Sequence, residues 1–242
     1  MKRAQPEEKI LSIDIGGSRI KATVLDTDGK MIAEYQRLDT PSPAHPENVL
    51  RVIKELTDPF KPYTKVSVGF PGYVRKGVVH TAPNLGTDDW QGVDLSKKLK
   101  DLLKQDVQVV NDADLHGLGV ASGKGFEMVI TLGTGFGTAM LVNGILLPHF
   151  EIAHHPFSKD RDYDEYVGNR ALIDAGSEKW NKRLRKVLEV LKTVYNYDHL
   201  YISGGNAKKI NFELDENMSV ATNIEGIRGG AKLWQNENLY NF

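Results

Sequence analysis

The chain has 242 residues, a formal net charge of −1 and 40% hydrophobic residues, a composition typical of a globular protein with one large domain or two modest ones. Because the net charge is near zero, we expect no nucleic-acid or membrane partner. The absence of cysteine excludes disulfides and thiolate metal sites. No apolar run approaches the roughly 20 residues of a membrane span, and the first residues lack the apolar core of a secretory signal. We therefore expect a cytoplasmic protein.

The first predicted element is a β-hairpin around a pair of glycines. Apolar, β-branched runs at residues 10–15 and 19–25 flank the turn. Glycine lets a backbone approach a ligand closely, and clustered N–H groups suit phosphate oxygens. At the end of the first strand, Asp14 can hold Mg²⁺ directly or through water. The other candidate phosphate contacts are Gly16, Gly17, Ser18 and Lys21. The alternative is a tight hairpin without a ligand.

Turn residues, apolar periodicity and prolines predict the elements that follow. In chain order they are a third antiparallel strand at 31–38, a helix between Pro46 and Pro59, strands at 66–70 and 73–80, a helix at 95–105, a strand at 107–110 and a helix from 112 to 122.

The dipeptide Asn111-Asp112 separates the last of these strands from its helix. A carboxylate at that point can accept a proton from a sugar hydroxyl, while the amide can fix another hydroxyl by donating and accepting. Asn and Asp are also favoured helix N-caps. Position alone does not separate the two roles.

A second glycine-rich hairpin spans residues 128–142. Three glycines within five residues exceed what a simple hairpin needs, which favours a backbone that approaches phosphate closely. The candidate contacts are Gly133, Thr134, Gly135 and Gly137. Two such turns, one in each half of the chain, suggest two lobes with a ligand cleft between them.

The loop after the second hairpin concentrates three histidines and a glutamate within residues 149–155. A zinc site would need a fourth ligand, and no cysteine can supply it. Polar loop residues or a sugar-binding loop explain the pattern better than a metal does. Further on, the sequence predicts a helix at 180–195, whose basic run 182–186 is typical of a solvated face, a strand at 199–202 and a closing helix at 226–234.

Together these motifs resemble the ROK family of sugar kinases, within the actin-like phosphotransferase superfamily, and inside that family the polyphosphate glucokinases. The likeness covers most of the chain, and the order and spacing of the motifs make it specific. The matching stretches are 14–21, 69–72, 82–85, Trp90, 111–114, 133–137, 151–154, 163–168, 179–183, 198–201 and 203–207.

The resemblance implies an α/β, actin-like (ribonuclease H-like), two-lobed fold with mixed sheets flanked by helices. The smaller lobe would comprise residues 1–111, completed by a C-terminal helix at 226–236, and the larger lobe residues 112–242. Many family members carry a cysteine-rich zinc motif, which this chain lacks. Polyphosphate glucokinases resemble it in that respect. The resemblance also implies a homodimer.

The resemblance further implies residue roles. Asp112 would be the general base that deprotonates the sugar 6-hydroxyl. The other sugar contacts would be Asn84, Asn111, Glu151, His154 and Asp164, with Glu165 as the alternative to Asp164. The Gly133 turn would bind donor phosphates, and Gly204 and Gly205 would lie where ATP users bind adenosine.

The expected function is a glucokinase that takes phosphate from inorganic polyphosphate, ATP or both, with Mg²⁺ near Asp14. One alternative is another hexose or N-acetylhexosamine kinase of the family that uses ATP. The other is a sugar-sensing protein without catalysis. Long polyphosphate would need an extended basic path, for which the candidates are Lys21, Lys124, Arg170, Lys182 and Arg183.

Overall fold

Two five-stranded mixed sheets organise the protein. The structure is a computed structural model, and it describes residues 8–235. Contacts divide these residues into two compact units. Unit 1 comprises residues 8–115 and 227–235, and unit 2 comprises residues 116–226. Among the described residues, no helix is both long enough and apolar enough to cross a membrane.

Unit 1 contains the first half of the elements and the last helix. They are β1 (Ile10–Ile15), β2 (Arg19–Leu25), β3 (Gln36–Asp39), α1 (Pro46–Thr57), β4 (Lys65–Phe70), β5 (Val74–Arg75), β6 (Val78–Val79), α2 (Thr87–Trp90), α3 (Leu95–Leu103), β7 (Asp106–Asn111), α4 (Asp112–Val120), which continues into unit 2, and α9 (Gly229–Gln235).

The sheet of unit 1 has the strand order β3-β2-β1-β4-β7. The hairpin strands β1 and β2 pair antiparallel, as do β2 and β3. From β1 onward the pairing is parallel, first to β4 and then to β7. Strands β1 and β4 are almost entirely buried, as expected where both faces of a sheet are covered. The carboxyl ends of the three parallel strands therefore lie at one edge.

Two predicted strands differ from the observed ones. The strand predicted at 31–38 reduces to β3, because the Thr23 hydroxyl donates to the Ala33 carbonyl at 2.9 Å and the ladder is interrupted there. The strand predicted at 73–80 is a hairpin of β5 and β6. It turns at Lys76 and Gly77, which both have positive φ, as a two-residue hairpin turn with the matching twist requires.

The core of unit 1 packs the helices onto the sheet. The predicted helix after Pro46 is confirmed as α1, which begins at that proline and buries Val49, Ile53 and Leu56. The closing helix predicted at 226–234 is instead two helices, of which α9 lies against β1 and β4. A Cβ at Gly230 would stand 2.3 Å from the Ser12 hydroxyl oxygen, so the sequence needs glycine at this crossing.

Unit 2 contains the remaining elements. They are β8 (Phe126–Leu132), β9 (Phe136–Val142), β10 (Ile145–Leu146), β11 (Pro156–Ser158), β12 (Arg161–Asp162), α5 (Tyr163–Val167), α6 (Asn169–Ala175), α7 (Ser177–Tyr195), β13 (His199–Ser203), β14 (Met218–Val220) and α8 (Asn223–Ile227), which continues into unit 1.

The sheet of unit 2 repeats the plan of the first, with the order β10-β9-β8-β13-β14. Two antiparallel pairings again lead into two parallel ones. The predicted helix at 180–195 is confirmed within α7, which buries Trp180, Leu184 and Leu188 in the core of the unit. The lobe boundary suggested by the sequence stays a prediction, and residue 236 lies outside the described residues.

Candidate active site

Unit 1 brings the acidic candidates Asp14 and Asp112 to the same edge of its sheet. Asp14 is in register with Gly69 of β4, and Gly69 is in register with Val110 of β7. Asp112 begins α4 directly after β7 ends. Two inter-strand spacings give a separation of about 10 Å between the backbones of Asp14 and Val110. The carboxyl ends of parallel strands are where open α/β sheets bind ligands.

A partly buried ion pair holds Asp14. Lys21 faces it across the hairpin, and the Lys21 Nζ lies 2.6 Å from the Asp14 Oδ2. Burial would lower the pKa of Lys21, but the negative charge of Asp14, with a smaller contribution from Asp112, raises the pKa above its ordinary value. Lys21 is therefore a fixed positive charge at this edge.

Replacing Lys21 by methionine is expected to destabilise the protein by about 1–3 kcal/mol, because the Asp14 carboxylate would lose its charged hydrogen-bond partner. Since the pKa of Lys21 is raised in the folded state, the pair stabilises the protein at neutral pH and its contribution is lost only as alkaline pH passes that raised pKa. Urea unfolding measures the loss. The control is Lys97→Met, whose pair with Asp101 is exposed. Equal effects of the two variants would contradict this role of Lys21.

One further side chain at this ion pair was missed by the sequence reasoning. Burial raises the pKa of the Tyr35 phenol, and the charge of Lys21 partly offsets that rise. Tyr35 falls in the region predicted as a regular strand, where alternation alone marks no residue as functional. Only the number of residues that separate Tyr35 from Lys21 along the hairpin could have indicated that the two side chains interact.

The first glycine turn is tightly built and touches a predicted sugar contact. The Gly16 N–H donates to the Arg19 carbonyl at 2.9 Å, and the Thr40 hydroxyl donates to the Gly16 carbonyl at 2.6 Å. A Cβ at Gly17 would stand 3.1 Å from the Asn84 Cβ. Ser18 and Asn84 therefore lie on the same surface of unit 1, and both side chains are exposed.

At the start of α4, the N-cap interpretation of Asn111 is confirmed as geometry. The Ala113 N–H donates to the Asn111 Oδ1 at 2.8 Å, and the Asn111 Nδ2 donates to the Gly72 carbonyl at 3.0 Å. The same Ala113 N–H lies 2.8 Å from the Asp112 Oδ1. These bonds fix the orientation of the Asp112 carboxylate, and its role as a base stays a prediction.

In the second glycine turn, which belongs to unit 2, a backbone N–H donates a hydrogen bond to a carboxylate. The Phe136 N–H donates to the Asp164 Oδ1 at 2.6 Å, and a Cβ at Gly135 would stand 2.6 Å from that same oxygen. Burial raises the pKa of Asp164, although the hydrogen bond from Phe136 opposes the rise. A side chain at residue 135 would displace the Asp164 carboxylate from this position.

The alternative residue, Glu165, is engaged elsewhere. It forms a capping box with Asp162: the Glu165 N–H donates to the Asp162 Oδ1 at 2.8 Å, and the Asp162 N–H donates to the Glu165 Oε2 at 3.2 Å. The sequence left open whether Asp164 or Glu165 contacts the sugar. In the structure the two side chains have different partners: Asp164 bonds to the glycine turn, and Glu165 bonds to Asp162 at the start of α5.

Asp164→Ala is expected to raise the KM for the phosphoryl donor about tenfold, because the turn loses the acceptor that holds the Phe136 N–H. The KM for glucose should change less. Glu165→Gln, which keeps an oxygen for the Asp162 N–H, is the control and should change neither constant. Steady-state kinetics with each substrate varied in turn distinguish this from a direct sugar contact, for which the glucose KM alone would rise.

The Gly204 turn lies directly beside the Gly133 turn. A Cβ at Gly204, which has a φ of +91°, would stand 2.5 Å from the Leu132 carbonyl oxygen. The Asn206 Nδ2 donates to the Gly133 carbonyl at 3.3 Å and to the Asn169 Oδ1 at 3.1 Å. Asn169 in turn donates its N–H to the Thr134 carbonyl at 3.3 Å. The structure therefore brings the predicted donor contacts of unit 2 together.

Asn169 was missed by the sequence reasoning because asparagine at a helix start is common.

Two other predicted donor contacts lie near these turns. Gly205 has open space around its Cα. Gly137 lies in β9, in register with Thr131.

The predicted sugar contacts of unit 2 lie around a short 3₁₀ turn at Ile152–His154. Burial would raise the pKa of Glu151, but the neighbouring His149, 3.4 Å away between Nε2 and Oε1, and His154 outweigh it and lower that pKa. The His154 Nδ1 lies 3.4 Å from the Asp162 Oδ2. Within residues 8–235, no group of three or more His, Asp or Glu side chains could hold a metal ion.

Comparisons with known proteins identify the relatives of this chain. The model of the ROK family matches residues 10–149. The polyphosphate glucokinase of Mycobacterium leprae (strain TN) is 34% identical over 206 residues, which are 81% of this chain and 63% of that protein. The polyphosphate glucokinase of Mycobacterium tuberculosis (strain CDC 1551 / Oshkosh) is 33% identical over 206 residues, which are 81% of this chain and 77% of that protein.

Among solved structures, the inorganic polyphosphate/ATP-glucomannokinase of Arthrobacter sp. strain KM has a TM-score of 0.84 and 31% identity. The match covers 95% of this chain and 100% of that one. This similarity confirms the predicted α/β fold of the actin-like class, with mixed sheets flanked by helices. The family model covers more than half of the chain, and relatives above 30% identity agree with it. The chain belongs to the ROK family.

Proposed function

We propose that the protein is a glucokinase that transfers a phosphoryl group from inorganic polyphosphate, ATP or both to the 6-hydroxyl of glucose. The observation that carries this is the orientation of Asp112, held by the Ala113 N–H at the sheet edge that it shares with the Asp14–Lys21 pair. The polyphosphate glucokinases at 33–34% identity support the choice of donor and acceptor.

In the proposed reaction, Asp112 accepts the proton of the glucose 6-hydroxyl as its oxygen attacks the terminal phosphorus of the donor. The bond from that phosphorus to its bridging oxygen breaks, and the shortened polyphosphate or ADP leaves with the bond's electron pair. Lys21 adds positive charge where the transferring group becomes most negative. The backbone N–H groups of Gly17 and Gly135 are the proposed contacts of the donor phosphates, because those of Gly16 and Gly133 already donate to the carbonyls of Arg19 and Gly135.

Mg²⁺ fits the chemistry of Asp14. Magnesium in such enzymes takes one or two carboxylates and fills its other positions with water and phosphate oxygens. One carboxylate oxygen of Asp14 pairs with Lys21, so Asp14 would hold the ion through its other oxygen, directly or through water. When bound, the ion neutralises charge on the phosphates.

For the sugar, we propose that Asn84, Glu151 and His154 contact the hydroxyls other than the 6-hydroxyl. A carboxylate and an imidazole pair readily with hydroxyls. Asn111 remains a candidate, but its amide already bonds to Ala113 and Gly72. Asp164 supports the donor turn in this proposal, as its bond to Phe136 suggests. A homodimer and a cytoplasmic location stay predictions.

A sugar panel separates the rival functions. With Mg²⁺ and a saturating amount of either polyphosphate or ATP, each assayed separately, we expect phosphorylation of glucose with at least one donor, and of mannose as a second acceptor because the Arthrobacter neighbour is a glucomannokinase. A preference for an N-acetylhexosamine would favour the alternative hexose-kinase assignment. Sugar binding without a phosphorylated product from any donor would favour the sugar sensor.

A further inference from the structure

A short basic segment extends away from the donor turns of unit 2. The 3₁₀ turn Ala207–Lys209 begins directly after Asn206, and the Lys209 N–H donates to the Asn206 carbonyl at 2.8 Å. Both lysines of this turn are exposed. Because Asn206 also donates to the Gly133 carbonyl, two exposed lysines follow directly on the residue that bonds to the turn where the donor phosphates are proposed to bind.

A buried asparagine fastens this segment to α7. The Asn181 Nδ2 donates to the Lys209 carbonyl at 3.1 Å, and the Asn211 N–H donates to the Asn181 Oδ1 at 3.1 Å. Asn181 itself is 4% exposed. The backbone of the segment is therefore held beside the first turns of α7, where the next residue along the helix is Lys182.

An open groove of about 570 Å³ lies between α7 and this segment, and its lining contains Asn181, Lys182, Arg185, Phe212 and one carboxylate, Glu178. The Arg185 guanidinium lies 4.7 Å from the centre of the Phe212 ring, a contact that orients the cation without neutralising it.

The cations of the groove, and the two lysines of the neighbouring 3₁₀ turn, form no ion pairs among the described residues. Within residues 8–235, no carboxylate lies within ion-pair distance of Lys182, Arg185, Lys208 or Lys209. Exposed lysines of unit 1 differ, since Lys54 and Lys97 pair with Asp58 and Asp101. Past the groove, the chain turns acidic and Lys192 pairs with Asp215 at 2.6 Å, so the row of unpaired cations ends there.

We propose that Lys208, Lys209, Lys182 and Arg185 bind the distal phosphates of a linear polyphosphate whose end lies at the glycine turns. The proposal rests on the proposed function. A polyanion with roughly one charge per phosphate releases counterions when it meets such a row of cations, which gives affinity that depends on its length and on salt. Lys182 was a candidate from the sequence alone; the remaining candidates do not line this groove, and Arg170 is paired with Asp174.

The test compares three donors on one triple variant, Lys182→Gln/Lys208→Gln/Lys209→Gln. The KM for long-chain polyphosphate is expected to rise at least about tenfold and to lose much of its salt dependence. The KM for tripolyphosphate and for ATP should stay within about twofold, because these donors end near the glycine turns. The matched control removes three paired charges from unit 1: Lys54→Gln/Lys61→Gln/Lys97→Gln should leave all three constants unchanged.

A single variant of opposite sign sharpens the test. Glu178→Gln removes the carboxylate of the groove, and it should lower the KM for long-chain polyphosphate alone. An unchanged long-chain KM in the triple variant, or an equal rise for all three donors, would overturn the proposal.

The failure of the proposed function is recognised separately. In that case the wild-type protein makes no glucose 6-phosphate from ATP or tripolyphosphate. Gel retardation of long-chain polyphosphate then still decides the groove: retention by the wild type that the triple variant loses supports it, and equal retention by both proteins refutes it.

Discussion

Asp112→Asn is expected to lower kcat by about 10²–10⁴-fold, the range that a positioned general base supplies. The asparagine keeps an oxygen for the Ala113 N–H, which now bonds to the Asp112 Oδ1 at 2.8 Å. The start of α4 and the affinity for glucose should therefore survive. Rapid-quench kinetics with ATP measure the chemical step, and a fluorescence titration with glucose measures binding.

An aspartate at another helix start of unit 1 provides the control. Asp94 accepts the Lys97 N–H at 2.8 Å at the start of α3, so Asp94→Asn makes the same change at a helix start outside the site. It should leave kcat unchanged. Substantial turnover by Asp112→Asn would show that Asp112 is not the base. An equal loss of kcat in both variants would show that the Asp112→Asn effect comes from the helix start alone.

The second large effect is expected from Gly204→Ala. Alanine at a φ of +91° is strained, and its Cβ would stand 2.5 Å from the Leu132 carbonyl oxygen, a backbone atom that cannot rotate away. The strain and the contact together cost about 2–3 kcal/mol, which corresponds to a fall in Tm of about 5 °C or more. Because Leu132 precedes the Gly133 turn, the KM for the donor should rise as well.

Gly205→Ala is the control for this change. Residue 205 has open space around its Cα, so the substitution should leave Tm nearly unchanged. Differential scanning calorimetry of the two variants gives the comparison. If both variants melt at the temperature of the wild type, the close approach of the two turns does not stabilise unit 2.

Prolines and apolar, β-branched runs predicted the helices and strands near the site well, because these residues act on the backbone conformation of their own segment. Pro46 and the apolar positions of α1 fix a helix that the structure retains. Buried, β-branched runs predicted both glycine hairpins, which are confirmed as β1–β2 and β8–β9. The strand predicted at 31–38 is shorter in the structure because a hydrogen bond from the Thr23 side chain interrupts the backbone pairing. A short stretch of sequence around residues 31–38 does not reveal that partner.

The sequence proposed residue types for the candidate site, but the contacts of these residues become visible only in the structure. Position alone left Asp112 between a base and a helix-start residue, and only the family resemblance favoured the base. Asp164 and Glu165 are adjacent in sequence, yet one bonds to Phe136 and the other to Asp162. Only the fold of the segment decides between these partners. Asn206 likewise becomes informative only when its amide is seen on the Gly133 carbonyl.

The proposed reaction of this chain is phosphorylation of the glucose 6-hydroxyl by polyphosphate or ATP. The direct measurement is glucose 6-phosphate formation by the purified wild-type protein with Mg²⁺, with polyphosphate and ATP assayed side by side and the product identified by phosphorus NMR. We expect glucose 6-phosphate with at least one of the two donors, and none from either when Mg²⁺ is chelated. Glucose that remains unphosphorylated with both donors in the presence of Mg²⁺ would contradict it.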